Sequence, residues 1–274
     1  IKMVKMNYKE RQEIIANSRI SFDYLQKFNR NMGILHLIQG ILMLTVGLIL
    51  EFSRDIYTFY LTYEVVLPDS FNIYPNPEVL LTISYVGAIL ASFLLLSAVA
   101  HLLIAYPLNK RYNENLQKGF NPYRWYEYAL SSSIMIAFIA LLFGVWDFWS
   151  LVMIFVLNAT MIMFGYIMEL VNQYTEKTNW KPFIMGCIAG AIPWIVIFGY
   201  FYGVDAEGIP DFVYWIFYTY LILFNSFAIN MVLQYKAVGP WRDYLFGERV
   251  YIILSLVAKS LLAWLAFGGI LQPQ

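Results

Sequence analysis

Charge is scarce in this chain. Of its 274 residues only 13% are Asp, Glu, Lys or Arg, against about 25% in an ordinary water-soluble domain. Hydrophobic residues make up 60% and aromatic residues 19%, a composition that argues against a water-soluble fold. A single cysteine, Cys187, excludes an internal disulfide framework and any multi-cysteine zinc or iron–sulfur site. The 18 basic residues balance 18 acidic ones, so no excess of positive charge points to nucleic acid. There is no internal repeat of the kind that marks inverted-repeat transporters, and no low-complexity tract.

What the sequence has is long apolar runs. A membrane-spanning helix needs roughly 20 mostly apolar residues, and such runs lie near 32–52, 79–106, 122–145, 147–173, 181–203, 210–235 and 245–271. They use most of the chain. The expected fold is therefore an all-α membrane protein, a seven-transmembrane helix bundle forming one domain over 1–274, preceded by a polar tail at 1–31. A first apolar run that opens only behind such a tail is unlike a cleaved signal peptide. Asn121-Pro122 supplies an N-cap and a first-turn proline for the third span. Gly208-Ile209-Pro210 and Gly239-Pro240 mark breaks before the sixth and seventh.

Charge placement predicts orientation. Sixteen of the 18 basic residues fall in the tail and in the second, fourth and sixth loops with their edges, while Arg54 alone falls on the other side. Cytoplasmic loops collect Lys and Arg, so the N-terminus is expected in the cytoplasm and the C-terminus outside, in the plasma membrane. The tail carries Ile14, Ile15, Ile20, Phe22, Leu25 and Phe28 among its basic residues, a pattern for a short amphipathic helix on an anionic leaflet. The first extracellular loop, 53–78, is rich in aromatic and β-branched residues over Ile56–Val66. It reads as a β-hairpin whose second arm lies near Phe71–Tyr74, either seeking a partner or lying on the bundle's rim.

An ionisable group inside a span is expensive and marks function by default. Lys259 lies in the otherwise uncharged run Val250–Ile270, Glu127 lies inside the third span, and His36 and His101 lie inside the first two. Glu51, Asp147, Glu169 and Glu248 fall near span ends and read as solvated interfacial carboxylates. Side chains on a helix tilt toward its N-terminus, which brings Lys259 toward the level of Glu127, with Ser255 one turn before it on the same face. A structural ion pair satisfies this pattern. So does a desolvated amine that forms a Schiff base with an aldehyde, the carboxylate holding the charge.

Arg124-Trp125-Tyr126-Glu127-Tyr128 with Ser131-Ser132-Ser133-Ile134-Met135, and Glu248 to Trp264 around Lys259-Ser260, closely resemble the third and seventh helices of heliorhodopsins. The resemblance extends over the whole chain, and it implies the inverted topology and the strand-bearing first loop already read from the residues. It further implies all-trans retinal bound to Lys259, Glu127 as counterion and Ser255 beside the Schiff base. His36, Gln39, Ser97 and His101 match that family's polar cavity, and Tyr128, Ser132, Trp194, Phe224 and Trp264 are candidate pocket residues. Beyond Lys259 the seventh span has no carboxylate, and the outer halves of the third and fifth have none. A proton pump needs a relay there, so the expectation is a light sensor with a slow photocycle, no ion pumping and a signalling partner of unknown identity. The alternatives are a light-driven or light-gated proton transporter and a retinal-free seven-helix receptor. Gly186 and Gly190 form a small-xxx-small pattern that, with the hairpin, suits either a homodimer or helix packing within one chain.

Overall fold

A computed structural model describes residues 8–50, 52–67, 70–203 and 209–270. Its elements are α1 (Tyr8–Ala16), α2 (Phe22–Ile49), β1 (Arg54–Leu67), β2 (Ser70–Ile83), α3 (Val86–Ala105), α4 (Asn109–Gln117), α5 (Pro122–Leu142), α6 (Phe148–Asn172), α7 (Lys181–Gly203), α8 (Asp211–Tyr235) and α9 (Tyr244–Ile270). Among the described residues, 7 helices are long and apolar enough to cross a membrane: α2, α3, α5, α6, α7, α8 and α9. The protein is thus a seven-helix membrane bundle with a two-strand antiparallel hairpin. One end of the bundle carries α1, α4 and most of the basic residues; the other carries the hairpin.

Three helices form the inside. About half of the apolar window is buried in α3 (50%), α5 (56%) and α9 (50%), against 28% or less in the other four. Interior helices need small residues where axes approach closely. Gly47 of α2 faces Gly87 of α3 so tightly that a Cβ on Gly87 would lie 2.6 Å from the Gly47 Cα. Gly186 and Gly190 of α7 face Phe164 and Met161 of α6, so helix packing within the chain accounts for them. α7 and α8 are held apart by rings instead: Phe198 and Phe201 pack on Phe217, and Trp194 on Phe224, with centroids 4.5–5.6 Å apart.

The first span begins at Phe22, ten residues before the expected boundary. Ser21 caps it by accepting the Tyr24 amide, and Leu25 and Asn29 are buried on the inner face of turns that looked like polar tail. The tail's amphipathic piece is α1, and its Ile15 is buried against the basic end of the bundle beside Leu25, Ile104, Tyr112 and Leu116. One face of the tail helix thus seats on protein. At the opposite end the second hairpin arm runs to Ile83, well past Tyr74, which shortens the second span to a start at Val86. Pro75 and Pro77 are tolerated in it because each strand of a two-stranded ribbon keeps one unpaired edge. The hairpin base docks through buried Ile56 and Thr58 and the Tyr57 amide, which donates to Trp146 O at 2.8 Å. Farther out, Phe59, Tyr60, Tyr63 and Phe71 are more than half exposed.

Two interfacial expectations fail. Glu169 and Glu248 are 0% and 2% exposed and both pair with Arg124, because helices α5, α6 and α9 bring them to one level. Asp147 is the N-cap of α6 and accepts the Ser150 amide at 2.7 Å. Glu51, Pro68-Asp69 and Gly208 lie outside the described residues.

Candidate functional site

The three inner helices each contribute a polar group at one depth. Lys259 of α9 is 2% exposed, and its Nζ donates to Glu127 Oε1 of α5 at 2.6 Å and to Ser97 Oγ of α3 at 2.5 Å. Ser97 Oγ also lies 2.7 Å from Glu127 Oε1 and 3.0 Å from Phe93 O, the two acceptors open to its one proton. The Tyr128 ring sits 5.0 Å from Nζ, near enough for the ring face to favour a cation. A buried ion pair is stable only with close geometry and added hydrogen bonds, and this pair has both.

Near Lys259 lies a buried group of polar side chains. His36 and His101 stack with centroids 5.6 Å apart and planes 9° from parallel. His101 Nδ1 bonds Asn29 Oδ1 at 2.7 Å. Both ring nitrogens of His36 and the Ser255 hydroxyl are buried without a hydrogen-bond partner among the described residues. Such atoms are uncommon in a settled interior, and each calls for an explanation.

Lys259 also faces an apolar cavity of about 440 Å³, walled by α5, α6, α7, α8 and α9. Lys259, Tyr128, Ser132, Trp194 and Phe224 all line it. Asn158 of α6 fixes Ser132 by donating to its Oγ at 2.8 Å, a residue that sequence reasoning missed. Trp125 also lines the cavity, and Gly165 leaves room for its ring. Trp264 is not in the wall: it is 37% exposed and donates from Nε1 to Gln39 Oε1 at 3.1 Å, joining α9 to α2. Gln39 is thereby committed to that seam.

A second buried cluster lies toward the basic end. Glu169 receives Arg124, the Trp125 indole at 2.7 Å, the Asn121 amide at 3.0 Å and the Tyr244 hydroxyl at 3.1 Å. Glu248 receives Arg124, Asn121 Nδ2 at 2.7 Å and the Tyr112 hydroxyl at 3.1 Å. The Arg124 guanidinium lies 3.9 Å from the Tyr251 ring centroid. The sequence signal for this cluster was one arginine and two carboxylates at similar depth in three spans, read separately as loop-edge groups.

A family model for heliorhodopsins matches residues 25–271. The chain belongs to the heliorhodopsin family. A comparison with curated proteins gives no match. As a heliorhodopsin the protein is a multi-pass membrane photoreceptor of the rhodopsin type, with a retinal chromophore, and not a classical enzyme. Its residues fit that group. The cavity is largely apolar, its volume falls within the roughly 300–1,000 Å³ of small-molecule sites, and an amine able to bond an aldehyde stands in its wall.

Proposed function

We propose that this heliorhodopsin is a light sensor that carries all-trans retinal as a protonated Schiff base on Lys259, with Glu127 as counterion, and completes a slow photocycle without pumping ions. One observation carries the reading: the buried Lys259 amine forms part of the apolar cavity wall while its Nζ touches Glu127 and Ser97. Bound retinal supplies the light-driven isomerisation. The chain supplies the rest. Glu127 holds positive charge at the Lys259 nitrogen, Ser97 links the two, and the aromatic walls exclude water and confine the chromophore. His36 and His101 offer lone pairs to a proton that leaves the Lys259 nitrogen, and Ser255 adds a hydroxyl from the same helix face.

The absence of carboxylates in Ser260–Ile270 and in the hairpin-side halves of α5 and α7 supports a cycle in which the proton returns the way it left. The basic end is cytoplasmic in this reading, because it gathers nearly all Lys and Arg. The exposed aromatic face of the hairpin supports a homodimer, and a separate signalling partner completes the proposal.

The test is flash spectroscopy together with pH recording in cells given all-trans retinal. A visible band with a slow cycle and no light-driven pH change is expected. A robust pH change that Glu127→Gln abolishes would establish the transporter reading in its place.

A further inference from the structure

A run of buried hydrogen bonds leads from the Glu248 carboxylate to His101, and the proposed function leaves it unused. Asn29 Nδ2 donates to Leu25 O at 2.9 Å and to the Tyr112 hydroxyl at 3.4 Å; Tyr112 donates to Glu248 at 3.1 Å; Asn29 Oδ1 faces His101 Nδ1 at 2.7 Å. Asn29 is 1% exposed and Tyr112 0%.

The donors and acceptors leave one consistent assignment. Leu25 O accepts only, so the Asn29 NH₂ must face it, which turns Oδ1 toward His101. Tyr112 has one proton, and it goes to the Glu248 carboxylate. Burial, with Glu248 beside it, holds the Tyr112 phenol well above its ordinary pKa, so that proton stays. His101 Nδ1 must therefore carry hydrogen, which leaves Nε2 as the ring's lone pair.

Tyr112 is also how α4 is seated. Tyr112 and Leu116 are its buried residues, and Lys110, Arg111, Glu114, Gln117 and Lys118 are exposed along and just past it. The residue that sets the donor order at His101 is thus an anchor of a solvent-facing, mostly basic helix.

We propose that Asn29 and Tyr112 are positioning residues that fix the tautomer of His101 and couple its charge to the seating of α4, making α4 the surface that reports absorbed light. The inference rests on the light-sensing role of Lys259. An N–H bond at the Lys259 nitrogen breaks and one forms at His101 Nε2, while Nδ1–H remains on Asn29. The resulting imidazolium strengthens that bond, pulls on the amide, and loosens its grip on Tyr112 and hence on α4.

The chain has only two histidines, so ¹⁵N-histidine NMR of the full-length protein in the dark, with and without retinal, resolves the tautomer directly. His101 protonated at Nδ1 is expected; protonation at Nε2 alone overturns the inference. Hydrogen–deuterium exchange over 109–118 is then compared in light and dark. The retinal-bound protein should exchange faster there in light, and Tyr112→Phe should keep its visible band, lose the light-dependent difference, and alter the recovery rate by about fivefold, the size of one net hydrogen bond. A Tyr112→Phe variant that retains the difference overturns the inference, as does an Asn29→Leu variant whose His101 tautomer is unchanged. Failure of the wild type to form a visible band would instead sink the Lys259 reading, leaving the tautomer result to stand or fall alone.

Discussion

The molecule buries two groups of charge that meet on α5, at Arg124 and at Glu127, and their surroundings differ. Around Arg124 all four oxygens of Glu169 and Glu248 have donors, and Arg124 Nε is the one guanidinium nitrogen buried without a partner among the described residues. Around Lys259 the ion pair is close, yet His36 has two unpartnered nitrogens and Ser255 an unpartnered hydroxyl, and an apolar cavity opens alongside. A network whose carboxylate oxygens are all filled favours one arrangement and holds helices α5, α6 and α9 in register. A partly filled one has places for a proton to go.

Breaking the Arg124 network should cost the most stability. Arg124→Met would leave two buried carboxylates without their cation, a loss of about 3–5 kcal/mol, read as a lower thermal midpoint in detergent. Whatever folds should keep a visible band, moved less than by Glu127→Gln, because the cluster meets the cavity wall through Trp125 and Tyr251 while Glu127 touches Lys259 itself. Glu127→Gln sharpens the contrast from the other side. It should displace the visible band strongly while lowering the midpoint by less than Arg124→Met does; equal losses of stability would erase the distinction drawn between the clusters. Gly33→Ala is a smaller probe, because the new methyl would lie 3.1 Å from His101 Cβ. It should change the photocycle rate at a stability cost of about 1 kcal/mol, within the range for mild overpacking. The smallest effect separates two tryptophans. Trp194→Phe, in the cavity wall, should shift the band, whereas Trp264→Phe, out of the wall and bonded to Gln39, should leave its position nearly unchanged.

Much of this was legible in the sequence, for identifiable reasons. Lys259 stands out because a lone ammonium in an apolar run has few explanations, and the third-span motif around Glu127 supplies its complement. The spans followed from apolar length, so their number and the boundaries of the last five came through, within about three residues. What was hidden was burial by partners from other spans. Glu169 and Glu248 sit near helix ends, where water is the simplest neighbour; only the third helix, bringing Arg124 to the same level, makes them interior. Asn29 was hidden likewise, in a segment too polar to read as span, because one face of that helix lies against α3 and α4. The long second hairpin arm was missed because Pro75 and Pro77 argue against a strand unless its edge is free. Trp264 and Trp194 are equally aromatic on paper, and only helix rotation sorts them into seam and wall.

The central claim is that Lys259 carries the chromophore. The most direct measurement is a light-minus-dark absorption spectrum of purified protein given all-trans retinal, taken for the wild type and for Lys259→Ala. The account predicts a visible, light-responsive band in the wild type and none in Lys259→Ala, with a circular dichroism spectrum showing the variant still helical. A wild type that stays colourless, or a Lys259→Ala protein that keeps the band, would contradict it.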